Sequence, residues 1–370
     1  MKYLNGIESS EIIEDVKDLT SQLAQIVKSD LRYLYNPKHL KGLKRYLAEK
    51  ASVKNIIFMG DSITEGQIAT VDYGTNGYVG LVAAYLKSLY NDGRNEFYPS
   101  WQNKIGSTPR WTYIGMSTNN SLSVSLNTNG TGIFTPPTSY AQEAFALTKS
   151  GGGTLRSNYG GSNANIATAS EDPPALVKTA YPGAVTQGGP CTVTAISASV
   201  DFVGVRFYKS GSSANGIAVH NLGKATVNGS DWLDPAGNGI VAKLLATELQ
   251  SKLAFIAFGA NDWNNQTAVA DYKAAITDMV THLLSIGSYV VLLVNGEWSN
   301  EIAYPKTISH LLYENALYEI ADEQNVALID VSEKWRIDAT RASFLADPVH
   351  PNNAGHQSIA DTITNCILKY

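Results

Sequence analysis

The chain reads as an α/β protein: a three-layer, parallel-sheet domain interrupted by a β-rich insertion and preceded by a helical segment. Three observations predict this. Compact apolar runs at residues 55–59, 253–258, 289–294 and 326–331 have the length and composition of buried parallel strands. Helical patterns at residues 78–90, 269–285, 307–325 and 353–368 alternate with them, as right-handed crossovers between parallel strands require. Between these parts, residues 116–215 carry only nine charged residues and are crowded with Ser, Thr, Asn and Gly.

The elements follow in order. Residues 1–50 are charge-rich and helical in pattern, with 16 Asp, Glu, Lys or Arg. Within them Ile12, Val16, Leu19, Leu23 and Ile26 step alternately by four and three. That stripe is about two heptads long, and it suits either a helix packed on its own domain or a stem that makes a homo-oligomer. Residues 51–115 and 216–370 form the α/β domain. In the 116–215 insertion, short β-favouring runs at 191–196 and 200–208 are separated by Pro-Gly and Gly-Gly-Pro turn signals. Enough Val, Ile and Phe are present there for a core of its own, which argues against disorder.

Charge and length exclude several classes of function. The 370 residues carry 28 basic and 33 acidic side chains, a formal net charge of −5. Nothing in that balance calls for nucleic acid or an anionic membrane as partner. No apolar run approaches the ~20 residues that cross a bilayer. Residues 1–10 lack the apolar stretch of a signal peptide, so location is left open, with the composition favouring an extracellular or virion-associated setting. The two cysteines, Cys191 and Cys366, are expected as buried free thiols, and neither stands at metal-ligand spacing from a histidine.

The residues that carry chemistry lie at strand ends. Gly60-Asp61-Ser62-Ile63-Thr64-Glu65-Gly66 directly follows the first apolar run. A serine there is held by rigid backbone at the carboxyl end of a parallel strand, where ligands bind in open α/β sheets. Alone, the motif is a weak pattern that reads more readily as a turn whose Ser or Asp caps the next helix. A serine nucleophile also needs a base, and the base needs a group to orient it. Of six histidines, only His350 sits in a polar turn before a terminal helix with a carboxylate three residues earlier, in Asp347-Pro348-Val349-His350. His282 reads as a packed helical residue, His39 and His310 as surface or structural residues, and His356 as part of the last helix. Gly259-Ala260-Asn261-Asp262 ends another apolar run, and the Asn261 amide there can donate to an oxyanion or simply build a turn.

These blocks, in this order, resemble the SGNH (GDSL) hydrolase family, whose members carry a Gly-Asp-Ser block, a later glycine, a Gly-x-Asn-Asp block and a C-terminal Asp-x-x-His. The resemblance covers residues 54–115 and 216–370. It implies a flavodoxin-like three-layer fold and acyl transfer with no metal or organic cofactor. Ser62 would be the nucleophile, His350 the base and Asp347 its orienter. The glycine block is matched most loosely, by Asn221-Leu222-Gly223. It implies Gly223 N–H as an oxyanion donor beside Ser62 N–H and the Asn261 side chain, with Gly115 and Gly229 as alternatives.

Substrate expectations come from the surroundings. The uncharged β-rich insertion is like many carbohydrate-binding modules. Trp232, Trp263 and Trp298 fall in loops near the catalytic end, where indoles either stack on sugar faces or pack internally. An acetylated polysaccharide or glycan is the expected partner. A general short-chain esterase or lipase, and a non-catalytic glycan-binding module, stand as alternatives. The helical stem and uncharged insertion also resemble receptor-degrading modules of phage tails.

Overall fold

A computed structural model describes residue 17 and residues 32–369, except 51, 69–75, 94, 103, 106–107, 110, 118–121, 135–140, 150, 160–161, 170–173, 180–189, 209–214, 234–237, 296–305 and 339–340. The stem pattern of residues 12–26 therefore lies outside the described residues, Lys17 apart, as does Trp298.

Five parallel strands make the centre of the α/β domain. Their spatial order is Ala327–Asp330, Tyr289–Val294, Leu253–Ala257, Val53–Gly60 and Gly216–Asn221. Ile56, Ile57 and Phe58 are all fully buried although they alternate faces, because helices cover both sides of the sheet. Phe58 stacks on Phe255 of the neighbouring strand with ring centroids 4.4 Å apart. Helices Tyr78–Tyr90, Val269–Ser285, His310–Glu323 and Asn353–Lys369 form at the places the apolar spacing predicts.

The expectation of a purely parallel sheet is corrected at one edge. Leu34–Tyr35 pairs antiparallel with Ala327–Asp330, which makes the sheet mixed. Leu34, Leu40, Leu43 and Leu47 join the same core as the central strands. The described part of the N-terminal segment thus packs on the α/β body.

The β-rich region forms a second, nine-stranded sheet with every pairing antiparallel. It begins earlier than residue 116. Asn95–Pro99 pairs with Val200–Tyr208, and Trp111–Ser117 pairs with Val124–Phe134. The charged residues around Asn95 hid this strand, whose buried positions 95, 97 and 99 alternate with half-buried Glu96 and Tyr98. Trp111, Phe134, Leu155, Tyr159, Val193, Phe202 and Phe207 fill a core of its own. Phe97, Phe145, Leu147 and Val203 of the same sheet join the core of the α/β body, so the two sheets pack together. Cys191 and Cys366 are both buried, and neither forms a disulfide.

Candidate active site

Four turns converge at the carboxyl end of the parallel sheet. The first follows Val53–Gly60. Asp61 caps the short helix Ser62–Glu65, its Oδ1 accepting the Ile63 N–H at 2.9 Å. Gly60 is needed here, because a Cβ at that position would stand 2.0 Å from Thr64 Oγ1 and 2.6 Å from Ala257 O. Burial pushes the Asp61 carboxyl up to about 7, against the pull of the Ile63 N–H. Ser62 itself is 6% exposed.

The second turn precedes the last helix and brings in the other two predicted residues. His350 Nε2 lies 2.9 Å from Ser62 Oγ, and His350 Nδ1 lies 2.8 Å from Asp347 Oδ2. Asp347 Oδ1 accepts the Val349 and His350 backbone N–H groups at 2.8 and 2.7 Å. Partial burial pushes the Asp347 carboxyl up, but hydrogen bonds from the His350 and Val349 amides and the His350 ring outweigh it and hold the group below its ordinary range. His356, one turn into the helix, is fully buried and accepts the Tyr78 N–H on Nδ1 at 3.3 Å. Its burial pushes the imidazole down to about 4, so it serves as a neutral packing group.

The third turn follows Leu253–Ala257 and carries Asn261 and Asp262 on the helix Ala260–Asn265. Asn261 Nδ2 donates one hydrogen to Val227 O at 3.0 Å, which leaves its second hydrogen. Asp262 is fully buried, and its carboxylate accepts the Gly229 and Ser230 N–H groups at 2.6 and 3.2 Å. Burial pushes this carboxyl up to about 6 against those two bonds.

The fourth turn, after Gly216–Asn221, corrects one expectation. Gly223 N–H donates to Asn221 Oδ1 at 2.9 Å, so it is spent within its own turn. Gly223 is nonetheless required sterically, because a Cβ there would meet Glu65 N at 2.3 Å. The same loop holds two amides, Thr226 and Val227, that make no hydrogen bond among the described residues. Thr226 has φ +68°, an uncommon left-handed conformation for a threonine. The Gly229 alternative is also excluded, since its N–H is held by Asp262.

The tryptophan expectation is corrected as well. Trp232 and Trp263 are 3% and 4% exposed. The first packs edge-on against Phe258, and the second lies against His310 with Lys306 over its ring. Neither presents an open face to a sugar. Among the described residues, no group of three His, Cys, Asp or Glu side chains gathers to hold a metal ion, and no helix is long and apolar enough to cross a membrane.

Residues 200–358 match the GDSL-like Lipase/Acylhydrolase family. The match takes in Asn261, Asp347 and His350, while the Gly60-Asp61-Ser62 turn stands upstream of it. Over that stretch the chain is similar to this family of acylhydrolases, in agreement with the resemblance to the SGNH (GDSL) hydrolases that the motifs carry. No curated protein matches the chain in sequence. Among solved structures, a peptidoglycan O-acetylesterase matches with a TM-score of 0.67 at 14% identity, over 91% of this chain and 100% of that one. At that identity the likeness is one of fold. An acetyl-xylooligosaccharide esterase from Geobacillus (TM-score 0.43, 14% identity, 86% of this chain, 96% of that one) is much less similar. So is a two-domain esterase active on acetylated mannans (TM-score 0.42, 13% identity, 88% of this chain, 52% of that one).

Proposed function

We propose that this protein removes O-acetyl groups from a polysaccharide or glycan, by acyl transfer through Ser62. The observation that carries the chemistry is the continuous relay from Ser62 Oγ through the His350 ring to Asp347, with both ring nitrogens within 2.9 Å of their partners. Ser62 Oγ attacks the ester carbonyl as His350 Nε2 takes its proton, and Asp347 holds Nδ1–H so that Nε2 is the free base. The carbonyl oxygen becomes an anion. Ser62 N–H, the spare Asn261 Nδ2 hydrogen and the amide pair Thr226/Val227 are the donors for it, with the loop amides replacing Gly223. Collapse expels the sugar alcohol, which takes the proton from His350. Water activated by the same nitrogen then releases acetate.

The glycan part of the reading is supported by the fold shared with a peptidoglycan O-acetylesterase along nearly the whole of both chains. The low charge of residues 116–215 agrees with it. The test is acetate release from a panel of acetylated glycans, including peptidoglycan and xylan, by the wild type and Ser62→Ala. Release that depends on Ser62 and exceeds cleavage of octanoyl esters is expected. A preference for octanoyl esters, with no release from any glycan, would replace the reading with a general esterase.

A further inference from the structure

We infer that Glu65 and Asp262 are positioning residues: two carboxylates that clamp the loop Lys224–Ser230 from opposite sides and so set the oxyanion hole. This rests on the acyl-transfer reading of Ser62.

The loop lies between the Ser62 turn and the Asn261 turn. On the serine side, Lys224 N–H donates to Gly60 O at 3.0 Å, and Ala225 N–H donates to Glu65 Oε2 at 2.8 Å. On the asparagine side, Gly229 and Ser230 donate to Asp262, and Asn265 Nδ2 donates to Asn228 Oδ1 at 2.9 Å. The Thr226 and Val227 amides fall between these two sets of bonds. Val227 O is also the acceptor that orients the Asn261 side chain. A shift of the loop would therefore displace two kinds of hole donor at once.

The Asp262 carboxylate does not serve its own helix. Gly259 is the N-cap of Ala260–Asn265, and no side chain caps it. The carboxylate instead reaches across to a different loop, from a fully buried position where an ionised group is costly unless it is bonded. Glu65 is the last residue of the Ser62–Glu65 helix and likewise bonds outside it. The absence of a Cβ at Gly223 lets the loop approach Glu65 closely enough for that bond.

The experiment compares Glu65→Ala, Glu65→Gln, Asp262→Asn and Asn261→Ala, singly and combined, in p-nitrophenyl acetate turnover and in amide exchange of peptides spanning residues 224–230. Glu65→Ala and Asp262→Asn are expected to lower kcat roughly 10- to 100-fold, with KM held within about twofold. Glu65→Gln, which keeps an acceptor for Ala225 N–H, retains more of kcat than Glu65→Ala. Added to Asn261→Ala, either clamp variant should cost less than about threefold more, because both act on one hole. Exchange across 224–230 should rise in both clamp variants and stay unchanged in Ser62→Ala. Multiplicative losses with Asn261→Ala, or unchanged loop exchange in both clamp variants, would overturn the proposal. An equal rate in wild type and Ser62→Ala would instead sink the esterase reading, while the exchange data would still decide the clamp.

Discussion

His350 Nε2 stands 2.9 Å from Ser62 Oγ, although 288 positions separate the two residues in sequence. The contact joins the first strand-end turn to the last one, and Asp347 completes it from three residues away. His350→Ala should lower kcat by roughly 10⁴-fold or more, with the far-ultraviolet circular dichroism unchanged. Asp347→Asn should cost less, about 10²- to 10⁴-fold, because an amide oxygen can still accept the Val349 and His350 N–H groups. Steady-state turnover of p-nitrophenyl acetate measures both.

Asn261 and Gly223 should fail in different ways. Asn261→Ala removes a proposed hole donor and is expected to lower kcat about 10²- to 10³-fold. Gly223→Ala forces a methyl group to within 2.3 Å of Glu65 N, so its first effect is on folding. Its thermal midpoint should fall below that of the wild type. An unchanged midpoint with a lost kcat would return Gly223 N–H to the hole.

Two carboxylates should shift stability with pH in opposite senses. The Asp347 carboxyl is held below its ordinary range, so its contribution is present at neutral pH and is lost as pH falls through its folded value. Asp61 is pushed up to about 7, so its contribution is present below the ordinary carboxylate range and is lost as pH rises through about 7. Asp61→Asn keeps a capping side chain and should gain on the wild type between pH 4 and pH 8. Asp347→Asn should be weaker than the wild type at pH 8 and equal to it in strong acid. Urea midpoints from strong acid to pH 8 read both signs.

Cys191 and Cys366 should be silent to a thiol reagent in the native protein and should titrate as two free thiols in guanidinium. Both are buried and neither forms a disulfide, and burial pushes the Cys191 thiol up to about 12.

Trp263→Ala should act through the core. Removing a buried indole is expected to cost about 3–5 kcal/mol of stability, measured by chemical denaturation. A raised KM for glycan at unchanged stability would put the ring back at the substrate.

The site was legible where local spacing carries the chemistry. Ser62, Asn261 and the Asp347/His350 pair each follow an apolar run or precede a helix, and each lies where its motif places it. Gly223 was misread because the direction of a backbone N–H depends on the path of the whole loop, which residue types do not record. Thr226 was missed for a related reason: its left-handed conformation is imposed by neighbours and goes against its own preference. Trp232 and Trp263 are loop residues in sequence, yet Phe258 and His310 enclose them from distant elements. The parallel strands were readable as apolar runs. The strand Asn95–Pro99 was not, because charged residues surround it and it buries only alternate side chains.

The pairing of Asn95 with Tyr208 means that the chain enters and leaves the second sheet at one point. That excursion separates Val53–Gly60 from Gly216–Asn221, two strands that pair directly in the first sheet. Closing so long a loop is slow while it is unstructured, because its entropy must be given up before the strands gain anything in return. Once Asn95–Pro99 lies against Val200–Tyr208, the two ends are already neighbours and the remaining closure is short. Pairing of Asn95–Pro99 with Val200–Tyr208 thus lowers the closure entropy that remains for joining Val53–Gly60 to Gly216–Asn221, the two strands that flank the Ser62 turn and the Gly223 loop.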